Sequence, residues 1–145
     1  MRARYPDTEG FVERNGAKIF YEVYENEGPT ILLAQSWQTA HSRLWKMQIP
    51  YLARHFRVVT YDPVGNGKSD RVHLASRYKL SEVIADAIAV LDETGTESCV
   101  AAGLSYGGGL VTAMSALHPD RFDGAIPIAA SHFWGVPLPE RDRGA

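Results

Sequence analysis

The stretch VAAGLSYGGG, residues 100–109, places Ser105 between two glycines directly after an apolar run. Gly103-Leu104-Ser105-Tyr106-Gly107 fits the pattern G-x-S-x-G, and the flanking sequence supports it. SCVAAGL (98–104) predicts a strand, and GGLVTAMSALHPDRF (108–122) predicts a helix with Leu110, Ala113, Met114 and Leu117 on one side, stopped before Pro119. A serine on so sharp a strand-to-helix turn needs small neighbours, because side chains at the flanking positions would collide. Such a turn exposes the hydroxyl above a sheet, and N–H groups at the helix start can hold an oxyanion. Ser105 is the candidate nucleophile; the competing reading is a glycine-rich helix start with an incidental cap.

Upstream, FVERN (11–15) and KIFYEVYE (18–25) flank Asn15-Gly16, whose residues tolerate positive φ and predict a hairpin. TILLA (30–34) and RVVTYD (57–62) are apolar enough for strands buried on both faces. Between them WKMQIPYLARHF (45–56) predicts a helix, with Pro50 near the start of a turn. SEVIADAIAVLDETG (81–95) is the clearest helix, with Val83, Ile84, Ala87, Ile88 and Leu91 on one face. GAIPIAAS (124–131) predicts a last strand, which Pro127 assigns to an edge or a bulge. Strands alternating with helices imply an α/β fold, a mostly parallel sheet with an antiparallel opening hairpin.

The composition fits one domain, residues 1–145, being 45% hydrophobic and 22% charged. A net charge of −2, with no run of five like charges, argues against nucleic acid or an anionic membrane as partner. The single cysteine, Cys99, permits no intrachain disulfide. MRARYPDTEG lacks an apolar segment behind its basic residues, and no stretch approaches a membrane span, so the expectation is cytoplasmic. No H-x-x-x-H or C-x-x-C spacing suggests a metal, and no cofactor is implied.

DPVGNGKS (62–69) invites comparison with the phosphate loop G-x-x-x-x-G-K-[ST]. Asp62 stands where the first glycine belongs, and its carboxylate would repel phosphate. The alternative assigns that carboxylate to capping neighbouring loop N–H groups. Nucleotide binding is the minor alternative.

Taken together, these parts resemble the N-terminal half of the α/β-hydrolase superfamily, in its serine-nucleophile branch. The resemblance runs from about Phe11 to Ser131. In that family a His-Gly pair and an oxyanion donor follow the third strand; here Gln35 and Ser36 stand there, so the resemblance assigns the backbone N–H groups of Trp37 and Tyr106 to the oxyanion. The family loop D-x-R-G-x-G-x-S appears as Asp62 to Ser69, with Val64 where arginine is usual. The triad acid and histidine of the family follow later strands, and a lid follows the sixth, about where this chain stops.

The implied chemistry is hydrolysis of an ester or similar acyl bond of a small molecule through an acyl-serine. The alternative is a non-catalytic remnant or a half-domain needing a second chain. Of the five histidines, His118 and His55 belong to the wrong end of the sheet. His41 and His132 are placed to approach Ser105, and His132 is preferred as a base because it follows a strand neighbouring the turn. Ending near the sixth strand, the fold would leave its last strand open to self-association.

Overall fold

The computed structural model describes residues 4–36 and 40–131. Trp37 and His132 lie outside the described residues. The strands are β1 (Thr8–Arg14), β2 (Ala17–Tyr24), β3 (Thr30–Ala34), β4 (Arg57–Tyr61), β5 (Cys99–Leu104) and β6 (Phe122–Ile128). They form one sheet in the order β1-β2-β4-β3-β5-β6. β1 and β2 pair antiparallel, as do β2 and β4; β3 runs parallel to β4 and β5, and β6 runs parallel to β5. This is the expected mostly parallel sheet with an antiparallel hairpin. The turn has Asn15 at φ 49° and Gly16 at φ 73°, the left-handed pair that matches strand twist.

The central strands are buried on both sides, and their alternation divides the core. Leu32, Ala34, Val59, Tyr61, Cys99 and Ala101 face a cluster completed by α2 (Leu80–Glu93) and α3 (Tyr106–Leu117). Ile31, Leu33, Val58 and Ala102 face the other way, against Trp45, Ile49 and Ala53. Burying one such aliphatic side chain contributes about 1.5–3 kcal/mol. On this second face Ile126 and Ile128 of β6 remain 47% and 41% exposed, so the apolar side of the last strand is only partly covered. Pro127, which has no N–H to give, is accommodated on that outermost strand beside Gly103.

One expected helix is shorter than its pattern. Residues 45–56 do not form a continuous helix: a 3-10 turn, Ser42–Trp45, precedes the one-turn α1, Ile49–Leu52. Pro50 explains the restart, because at the first turn its missing N–H costs no helical hydrogen bond. Trp45 is buried and donates its indole N–H to the Ala34 carbonyl at 3.1 Å.

The loop after β4 is built around Asp62. Its Oδ1 accepts the Ser42 N–H at 2.7 Å and its Oδ2 accepts the Lys68 N–H at 2.9 Å. Ser69 Oγ donates to the Asp62 carbonyl and accepts the Phe20 N–H at 2.8 Å. The capping role expected of Asp62 is therefore present, and its carboxylate sits where a phosphate loop would need an anion. Lys68 Nζ instead lies over the Phe20 ring, 4.1 Å from its centroid, and pairs with Glu9.

Gly67 has φ +52°, and a Cβ there would collide with the Asp62 carboxylate. Gly67→Ala is expected to lower the unfolding free energy by roughly 2–4 kcal/mol, since strain and displacement of a buried carboxylate add. Urea denaturation of the two proteins measures this, and an unchanged midpoint would show that the loop tolerates the methyl.

Candidate active site

Ser105 joins β5 to α3 with φ 56° and ψ −115°, a conformation rarely adopted by a residue with a Cβ. Its side chain makes no capping hydrogen bond to the helix it precedes. The turn closes because three neighbours lack side chains. A Cβ on Gly103 would collide with the Gly107 carbonyl, and one on Gly107 with the carbonyl of Gln35. One on Gly108 would come within 2.9 Å of Ala130.

Hydrogen bonds hold this strained residue from both sides. Its N–H donates to the Ile128 carbonyl at 2.9 Å, and its carbonyl accepts the Ser131 N–H at 3.1 Å. The same carbonyl accepts the first turn of α3, from Gly108 at 2.9 Å and Gly109 at 3.2 Å. Strain of this kind persists only where the surroundings over-determine it, and it concentrates at functional sites.

The loop after β3 packs directly on the turn. Tyr106 donates its backbone N–H to the Ser36 carbonyl at 3.1 Å. Beyond 37–39 the loop is held again, by Asp62 on the Ser42 N–H and by Glu22 on Arg43. Glu22 is 1% exposed; its Oε1 accepts from Arg43 at 3.1 Å and its Oε2 from Tyr24 at 2.9 Å.

The four described histidines belong to four different segments of the fold. His41 opens the 3-10 turn and spends Nδ1 on the Arg43 N–H at 3.3 Å. His118 ends α3, whose 12 residues separate it from the serine by about 18 Å. His55 precedes β4, at the opposite end of the parallel strands. His73 is exposed on the connection to α2. Asp123, at the start of β6, accepts from Ser98 at 2.9 Å and is likewise remote. Among the described residues no group of three His, Cys, Asp or Glu is gathered to hold a metal.

A polar cluster that the sequence pattern did not reveal lies behind the turn. Arg77, 5% exposed, donates to Asp86 at 3.0 Å and to Glu82 at 2.9 Å, and Arg14 reaches both carboxylates. Burial raises the Asp86 carboxyl above its ordinary value despite the opposing pull of Arg77 and Arg14. Burial, with the Asp86 charge second, raises the Tyr61 hydroxyl strongly. Arg77 and Val64 line the same small cavity, so a guanidinium from another segment occupies the corner next to the valine. The available signal was Asp86 itself, an aspartate between Val83, Ala87 and Val90 on the buried side of α2.

Comparison with known proteins gives a consistent result. A family model described as alpha/beta hydrolase fold matches residues 29–143. Epoxide hydrolase B of Mycobacterium tuberculosis is 31% identical over 122 residues, covering 78% of this chain and 33% of that protein. A hydrolase from Pseudomonas aeruginosa superposes with a TM-score of 0.77 at 31% identity, over 90% of this chain and 49% of that one. An enol-lactonase from Burkholderia xenovorans gives 0.76 at 26% identity, over 84% and 47%. The chain spans between a third and half of the length of these relatives.

Replacing Ser105 by glycine is expected to stabilise the protein by about 1 kcal/mol, because glycine adopts the observed φ and ψ without strain. Ser105→Ala keeps the Cβ and should stay near the parent. Thermal or urea unfolding of the three proteins checks this; equal stability of the glycine and alanine forms would refute stored strain.

Proposed function

The chain belongs to the α/β-hydrolase fold family, and from that premise we propose that it carries the nucleophile of a serine hydrolase acting on an ester or similar acyl bond. The observation that supports this most is Ser105 itself, held at φ 56° and ψ −115° between glycines, with a side chain unused as a cap. Attack by its Oγ on the substrate carbonyl carbon forms a tetrahedral intermediate. Departure of the alcohol leaves an acyl-serine, which water then hydrolyses.

The nucleophile also bears on which relatives are informative. A serine that opened an epoxide would become an alkyl ether, with no carbonyl for water to attack. An acyl-serine has one. The enol-lactonase likeness therefore fits this residue better than the epoxide-hydrolase likeness does.

Tyr106 N–H and Trp37 N–H are the proposed oxyanion donors. In the described geometry the Tyr106 N–H rests on the Ser36 carbonyl, so receiving an oxyanion means exchanging that acceptor for another. Ser105 needs a base to take its proton, and the proposed candidate within this chain is His132. The second reading is a half-domain that acts only with further polypeptide, and the coverage of a third to a half of the relatives favours it. A small acyl substrate is the proposed partner, and a cytoplasmic setting is compatible with the absence, among the described residues, of a helix long and apolar enough to cross a membrane.

The 145-residue chain is expected to turn over activated esters weakly, at the residual roughly 10³–10⁴-fold over water that binding and oxyanion stabilisation supply in sites lacking triad members. Labelling by an activated fluorophosphonate should vanish in Ser105→Ala, fall in His132→Ala and persist in His41→Ala. Undiminished labelling in Ser105→Ala would end the serine assignment, and equal labelling of parent and His132→Ala would end that of the base.

A further inference from the structure

Behind the turn lies a cavity of about 20 Å³, lined among others by Gln35, Val64, Arg77, Asp86, Tyr106 and Leu110. Two buried donors on its wall, Gln35 Nε2 and Arg77 Nε, have no hydrogen-bond partner among the described residues. Gln35 is 3% exposed and Arg77 5%, so bulk water reaches neither. The Gln35 main chain packs its carbonyl beside Gly107, which lacks a Cβ, and the terminal nitrogens of Arg77 are committed to Glu82, Asp86 and the Arg14 carbonyl. The Arg77 Nε–H cannot turn to another acceptor without breaking one of these bonds.

Leaving such donors dry is costly, and buried polar groups in native proteins are satisfied by protein or by ordered water. The volume decides what fits. A site needs some 10–15 Å³ to hold one water and two to four polar partners to retain it. Among the described residues the acidic partner on the wall is Asp86, which has room to accept: Oδ1 takes Arg14 at 2.7 Å and Arg77 at 3.0 Å, whereas Oδ2 has a single long contact at 3.3 Å. A small anion is disfavoured by that carboxylate, and a cation by the guanidinium.

We infer that this cavity is a binding site for one internal water molecule, which accepts hydrogen bonds from Gln35 Nε2 and Arg77 Nε and donates to Asp86. The water joins α2 to the loop after β3. Gln35 directly precedes Ser36, whose carbonyl receives the Tyr106 N–H. The inference stands independently of whether Ser105 is catalytic.

Gln35→Leu in the full chain separates the two states of the amide. If it holds the water, the variant unfolds more easily, with the unfolding equilibrium constant rising about fivefold. If it is an orphan donor, the apolar replacement relieves a penalty and stabilises the protein, which would overturn the inference. Should the variant not fold, the parent suffices. Nuclear Overhauser contacts between water and both the Gln35 amide and the Arg77 Hε, together with an ordered solvent peak in a crystal structure, are the expected result. A dry cavity, or a Gln35 amide bonded directly to protein, would refute it.

Discussion

Three segments of backbone meet around Ser105 at distances that no side chain permits. β5 arrives through Gly103, α3 leaves through Gly107 and Gly108, and the loop after β3 lays the Gln35 carbonyl into the space beside Gly107. Everything else about the site follows from this crowding. The helix can start directly above the strand only because the Gly103 position is open to the Gly107 carbonyl. The loop can bring Ser36 to the Tyr106 N–H only because Gly107 has nothing to push it away. The strained φ and ψ of Ser105 are the geometric remainder of packing three main chains into one volume.

The sequence disclosed this crowding because glycine is a local signal. Gly103, Gly107 and Gly108 are visible one residue at a time, as is the alternation that buries Leu32 and Leu33 on opposite faces. What it concealed depends on non-local partners. Nothing in the neighbourhood of Arg77 indicates that its guanidinium reaches Asp86, nine residues on, or shares that carboxylate with Arg14, 72 residues away from it in sequence. Glu22 on β2 is likewise buried and holds Arg43, 21 residues away in sequence. Apolar spacing across residues 45–56 is compatible with one helix, and Pro50 in the first turn of α1 marks where the short helix restarts.

The corner behind the turn sets a buried ion pair beside an apolar loop residue. The resemblance placed an arginine at position 64, and the chain has a buried valine there. Arg77 brings a guanidinium to the same cavity from the 3-10 turn Ala75–Tyr78, and Asp86 on α2 receives it. Breaking such a buried pair from one side leaves an unpaired charge, typically a loss of 3–5 kcal/mol, whereas replacing both partners by apolar groups can be neutral. Selection acting on the two positions would therefore see them as a unit.

Two hydrogen bonds tie Ser105, the proposed nucleophile, to the chain at the end of β6. Ile128 receives the serine N–H and Ser131 donates to its carbonyl, so whatever orders that strand also orders the main chain of Ser105. The main-chain conformation at position 105 is thus set from the sheet edge as well as from its own strand and helix.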